Sequence, residues 1–214
     1  MCLTVGGSQM KKKFLDWSMN IIKKNYPDYD DDKLAEVKYG LEGLYLSITK
    51  MFIIIPLSIL TGNFFYMLIL LICFNILRKT GFGLHATTSL ICLMSSITIF
   101  IGGPFLCKVI TTPLFVKLFI SIISIISLYL YAPADTKKRP LINRKRCLKY
   151  KYITIINACT ISIVSMLVTN NTLSNILLLS VVIEAIMVNK LTYKIFNLSF
   201  DNYKNYNMFI KQNA

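Results

Sequence analysis

The sequence predicts an all-α fold: a multi-pass transmembrane helical bundle of about six spans, both termini cytoplasmic, with an N-terminal amphipathic helix. Three observations carry this. Of the 214 residues, 55% are hydrophobic and the mean hydropathy is +0.57; soluble domains average roughly 45–50% apolar. The apolar residues gather in runs approaching the ~20 residues that cross a bilayer core. Polar residues collect between the runs instead of forming a second face on each, which argues against a soluble bundle. The expected organisation is a cytoplasmic or interfacial segment over 1–32, a transmembrane domain over 33–190 and a cytoplasmic tail over 191–214.

Residues 1–9 lack the basic region and apolar core of a secretory signal. Met10-Lys11-Lys12-Lys13 reads as a start, with residues 1–9 as an upstream extension. Phe14, Leu15, Trp17, Ile21 and Ile22 then recur at helical spacing among Lys11, Lys12, Lys13, Lys23 and Lys24. That pattern suits a helix lying on the membrane surface, or one packed on its own protein. Pro27 and the run Asp28, Asp30, Asp31, Asp32 mark a break. One of the last three aspartates is expected to cap a helix beginning near Lys33, where a carboxylate meets the positive helix end.

Six apolar runs follow, over 41–60, 64–77, 82–101, 114–131, 152–168 and 173–188. The second is short for a span. In the fourth, Ser121, Ser124 and Ser127 recur every three residues, a small-residue stripe that lets helices approach closely.

Charge sets the orientation. Lys and Arg total 24 against 10 Asp and Glu, a net charge of +14. The basic residues lie in the N-terminal cluster, at Arg78-Lys79, over 137–151 and in the tail. The intervening loops, 61–63, 102–113 and 169–172, contain one cation, Lys108. Six spans with both ends inside satisfy the positive-inside rule at every loop, whereas five or seven would place a basic loop outside. The charge therefore calls for no nucleic acid partner. Membrane lipids of an anionic inner leaflet, or an acidic peptide, suit it instead.

The chemical candidates lie in the stretch from Arg78 to Cys92. His85 is the only histidine, and Cys92 follows seven residues later. The six cysteines are scattered without metal-ligand spacing, so no metal and no cofactor is expected. An imidazole can take the thiol proton, and the thiolate then attacks a carbonyl. The two groups must meet at about 3 Å. Two turns of straight helix, at 1.5 Å per residue, hold them about 10 Å apart. A catalytic pair therefore requires a bend, an unwound turn or pairing across a dimer. Gly83 and Gly81 offer the bend, and their backbone amides are candidates for an oxyanion site. Ser89, one turn from both His85 and Cys92, is a candidate orienting group. Asn75 and Glu184 are intramembrane polar residues, functional candidates by default. Lys50 is the alternative partner for Glu184.

The order Arg78…Gly83-Leu84-His85-Ala86…Cys92 resembles the signature of the AgrB family, membrane cysteine endopeptidases of bacterial peptide quorum sensing. Tyr131-Ala132-Pro133-Ala134-Asp135-Thr136-Lys137-Lys138-Arg139-Pro140-Leu141 resembles the family's Pro-containing basic loop, and Lys38-Tyr39-Gly40-Leu41-Glu42-Gly43-Leu44-Tyr45 is similar to its first span. Phe82 replaces the first of two adjacent glycines common in the family. The resemblance covers residues 33–190. It implies a bacterial cell-membrane enzyme that cleaves an AgrD-like pro-peptide. Cys92 would be the nucleophile and His85 the general base and acid. The acyl-enzyme would be captured by a substrate cysteine or serine to give a cyclic thiolactone or lactone. Arg78, Lys137, Lys138 and Arg139 are the candidate substrate contacts, and a homodimer is expected.

Two rivals remain at this level. A peptide exporter or small transporter would show internal repeats, and none is visible. A thiol oxidoreductase would want a resolving cysteine near Cys92. If the basic loop grips substrate, charge reversal at Lys137, Lys138 and Arg139 reduces pro-peptide cleavage without changing membrane insertion. Full cleavage by the inserted variant in a co-expression assay would discard that role.

Overall fold

The computed structural model describes residues 2–84, 89–134, 144–198 and 200. Among them the chain is helical: α1 (Cys2–Asn25), α2 (Asp31–Leu60), α3 (Phe64–Gly81), α4 (Ser89–Ile97), a π-helical turn (Thr98–Gly102), α5 (Gly103–Val109), α6 (Leu114–Tyr131), α7 (Arg144–Leu167), α8 (Asn171–Val188) and α9 (Lys190–Ile195). Six stretches are long and apolar enough to cross a membrane: Gly40–Leu60, Phe64–Gly81, Leu90–Val109, Leu114–Tyr131, Arg144–Leu167 and Asn171–Val188.

The chain divides into two compact units, Met1–Pro56 and Leu57–Ala214. In the first, α1 meets α2 where Lys11 pairs with Glu42 and Phe14 stands against Tyr45 at 5.3 Å between ring centroids. Asp30 caps α2 as the aspartate run predicts: its Oδ1 accepts from the Lys33 N–H at 2.9 Å.

In the second unit α8 is the central helix. It packs against α3, α5, α6 and α7, and 61% of its span is buried against at most 28% for any other. Small residues such as Ser174, Ser180 and Ala185 are interspersed with buried apolar ones such as Ile176 and Val181, so neighbours close in from several sides. The serine stripe of α6 does what its spacing predicts. Ser121 and Ser124 are buried, and Ser127 Oγ donates to the Ala185 carbonyl at 3.2 Å. Phe65, Phe119 and Leu167 point outward, as side chains facing acyl chains do.

Three spans differ from the periodicity reading. The second runs on to Gly81, so Arg78 and Lys79 sit in its last turn, where cations suit the negative helix end. The third is not 82–101. Phe82 (φ 60°) and Gly83 (φ 85°) are left-handed, which ends the helix before them. At its other end Gly102-Gly103-Pro104 was expected to be loop, yet helix continues to Val109. The wider π turn lets the chain enter α5 with Pro104 in its first turn, where a missing N–H is harmless. The fifth span begins at Arg144 rather than 152, so Arg144, Lys145 and Arg146 extend a helix instead of a loop.

Where α6 and α8 begin, a second polar centre holds the bundle. Lys117 is buried and donates to Ser174 Oγ at 2.7 Å and Asn171 Oδ1 at 3.2 Å. Asn171 and Asn175 donate to the Ile110 carbonyl at 3.0 and 2.8 Å, and Ser174 donates to the Ser165 carbonyl. Four helix ends are joined this way. Lys117→Ala leaves two acceptors without their donor and should cost about 0.5–2 kcal/mol, read as a lower unfolding midpoint in detergent. An unchanged midpoint would show that the network is not a fastening.

Candidate active site

The junction that follows α3 is built by backbone needs. A chain that leaves helical geometry at a membrane must find partners for its freed N–H and C=O groups. The N–H of Phe82 still donates to the Arg78 carbonyl at 3.1 Å. Beyond it, Gly83 N–H donates to the Ala134 carbonyl and Ala134 N–H to the Gly81 carbonyl, each at 3.0 Å. Leu84 N–H donates to the Met187 carbonyl, at the end of α8, at 3.1 Å. Phe82 and Ala134 thus form a short parallel bridge. The Phe82 ring meets Tyr150 of α7 edge-on at 5.5 Å.

Arg78 ties this segment down from the side. Its Nη2 donates to the Leu84 carbonyl and its Nη1 reaches Met187 Sδ at 3.5 Å. Glu184, fully buried on α8, lies 4.0 Å from Arg78 Nη1. No hydrogen bond reaches either Glu184 oxygen from the described residues. Beneath the pair, Thr154 Oγ1 and Thr80 Oγ1 are 2.8 Å apart.

Both glycines serve close approach. A Cβ on Gly81 would collide with Glu184 Oε1. A Cβ on Gly83 would stand 2.8 Å from the Met187 carbonyl oxygen and 2.6 Å from Arg78 Nη1, at a φ of 85° that L side chains rarely adopt.

Of the residues singled out from sequence, the structure brings together Arg78, Gly83 and Glu184. The cation beside Glu184 is Arg78, because α3 packs against α8. Gly83 supplies no free amide for an oxyanion, since its N–H is spent on Ala134. Asn75 is exposed and donates to the Leu71 carbonyl of its own helix at 2.8 Å, so it takes no part. Cys92 is half-buried in the first turn of α4, its carbonyl accepting from Ser95 and Ser96 hydroxyls at 3.1 and 2.7 Å. His85, Lys137, Lys138 and Arg139 lie outside the described residues, as does the side chain of Ser89. The described chain therefore gives the two approaches to His85: the non-helical segment Phe82–Leu84 before it and α4 after it.

A family model for accessory gene regulator B matches residues 17–188. The chain belongs to the AgrB family. Among its relatives, accessory gene regulator protein B of Staphylococcus epidermidis is 31% identical over 175 residues, covering 82% of this chain and 88% of that one. A protein of Listeria innocua described as AgrB-like is 28% identical over 186 residues, 87% and 91% of the two chains. Another, from Clostridium acetobutylicum, is 29% identical over 180 residues, 84% and 86%. No solved structure matches. With its six spans, this AgrB-family chain is a multi-pass bacterial membrane protein.

The sequence assigned no role to Ala134 within its loop, nor to Met187, Thr154 or Lys117. The first two act through backbone carbonyls and leave no mark in residue type. Thr154 is an ordinary residue for a membrane helix. Lys117 was legible: a lysine inside an apolar run wants a buried partner.

The two glycines separate in a mutational test. Gly83→Ala must strain a left-handed residue and push on backbone, and should cost at least about 1–2 kcal/mol. Gly81→Ala meets only the end of a side chain that can swing aside. Its cost should vanish when Glu184 is already alanine. Unfolding midpoints of the single and double variants check this, and an equal cost of Gly81→Ala in both backgrounds would refute the contact.

Proposed function

We propose that this protein is a membrane cysteine endopeptidase of peptide quorum sensing, acting on an AgrD-like pro-peptide. Family membership supports a role in the accessory gene regulator system. The observation that supports the chemistry is Cys92 in the first turn of α4, which follows the hydrogen-bonded segment Phe82–Leu84 in the chain. In this reading His85 takes the Cys92 thiol proton. The thiolate adds to the scissile carbonyl, and the same proton passes to the leaving amine. This gives a Cys92 thioester and releases the C-terminal fragment. A substrate cysteine, deprotonated by His85, then attacks the thioester. A thiolactone forms, and Cys92 leaves as thiolate and recovers the proton from His85; a serine gives the lactone. Exchange of one thioester for another is near balance, so the site has to keep water out, which a membrane-embedded site does.

The first-turn N–H groups of α4, which have no acceptor within the helix, suit the developing oxyanion. Ser89 begins the same helix three residues before Cys92 and is the proposed orienting group. Arg78 and Glu184 act as positioning residues: Arg78 holds the Leu84 carbonyl one residue before His85, and Glu184 holds Arg78. Lys137, Lys138 and Arg139 contact the substrate, and the protein works as a homodimer.

Co-expression with the candidate pro-peptide tests this. Cys92→Ala should abolish cleavage and His85→Ala reduce it by about 10²–10⁴. Full cleavage by the Cys92→Ala protein would sink the peptidase reading. Mixing the two inactive variants separates the remaining geometries: recovered cleavage means that His85 and Cys92 pair across the dimer, and none means that they pair within one chain.

A further inference from the structure

At the end of the bundle that carries the Arg78 junction lies a cleft of about 440 Å³ that the peptidase chemistry does not use. Tyr131 closes α6 on one side; Lys190 and Lys194 come from α9; Tyr193, Asn197 and Phe200 complete the lining used here. The aromatic walls interlock. Phe200 stands edge-on to Tyr193 at 5.1 Å and to Tyr131 at 6.2 Å, and Tyr193 belongs to the buried core. Lys190 and Lys194 are exposed and one helical turn apart. Among the described residues, neither lysine has a carboxylate within ion-pair distance. Asp201, the nearest acidic residue in sequence, lies outside those residues.

Position narrows the ligand. α9 begins at Lys190, two residues after the α8 span ends at Val188. The cleft is therefore at headgroup depth, where tyrosines and lysines of membrane proteins gather. Two cations on one turn attract an anion, and a wall of aromatic rings and leucines welcomes hydrocarbon beside it. Inorganic phosphate would have no use for that wall.

We propose that this cleft binds an anionic phospholipid of the leaflet at the basic end of the protein. Lys190 and Lys194 hold the phosphate, and Tyr131 and Phe200 lie against the glycerol and first methylenes. Occupancy reaches the junction through short covalent paths. Tyr131 is three residues before Ala134, and Lys190 three after Met187. Those two residues are the ones whose carbonyls hold Gly83 and Leu84. A lipid bridging the ends of α6 and α8 therefore steadies the segment that leads to His85.

The full chain, reconstituted in nanodiscs of phosphatidylcholine with added phosphatidylglycerol and then moved to detergent, tests this by native mass spectrometry of retained lipid. Wild type should keep phosphatidylglycerol over phosphatidylcholine. Lys190→Gln/Lys194→Gln should lose that retention about tenfold or more. Lys190→Arg/Lys194→Arg should restore it, and Lys23→Gln/Lys24→Gln, with the same charge loss elsewhere, should keep it. Equal retention by the two glutamine variants would overturn the site in favour of net charge. Displacement of the lipid by inorganic phosphate would overturn the lipid assignment in favour of a simple anion site. Undiminished retention with lost pro-peptide cleavage in Lys190→Gln/Lys194→Gln would give the cleft to the peptide instead. Retention is read without substrate, so its outcome is separate from that of the cleavage assays.

Discussion

A bilayer offers no hydrogen-bond partners, so a chain that stops being helical at its edge must find them in its own fold. This AgrB-family chain meets that constraint between α3 and α4. Gly83 and Leu84 give their N–H groups to Ala134 and Met187, and Gly81 accepts from Ala134. Those partners come from the ends of α6 and α8, which explains why both helices end beside α3. The irregular backbone is completed by these two segments.

The same constraint accounts for Arg78 and Glu184. The turn at Phe82–Leu84 leaves the Leu84 carbonyl facing inward, and a guanidinium is long and planar enough to reach it from the last turn of α3. A half-buried guanidinium is steadied by a counter-charge, and Glu184 supplies it at 4.0 Å. Glu184 in turn needs space, which Gly81 provides by having no side chain. Each residue answers a demand made by the one before it. Lys117 repeats the logic at the other end of α8, with neutral partners in place of a carboxylate. The central helix is thus fastened near both ends, with apolar packing between.

Functionally, this gives a cysteine in the first turn of one span and a segment held on its opposite approach, with the histidine between them in the chain. Under the proposed peptidase reading, a peptide on the basic leaflet would meet both from the side where the sequence places the loop cations. Backbone fixed on that approach would serve the proposed chemistry, because a proton-transfer pair tolerates little misplacement.

Composition and periodicity determined the six spans, because burying 18 or more apolar residues in succession leaves few alternatives to a membrane helix. Charge alternation among the loops predicts an orientation for them, and Asp30 was legible as a cap because its role is local. The order of Arg78, Gly83, His85 and Cys92 pointed to the family. Tertiary structure decided where the third span starts and ends. A left-handed turn at Phe82, a non-glycine residue, depends on Ala134, 52 positions away in the chain. It also decided that Glu184 faces Arg78, since pairing between helices follows their packing and not their spacing. What Ala134 and Met187 contribute comes from backbone carbonyls, which every residue carries, so only the folded arrangement could single them out.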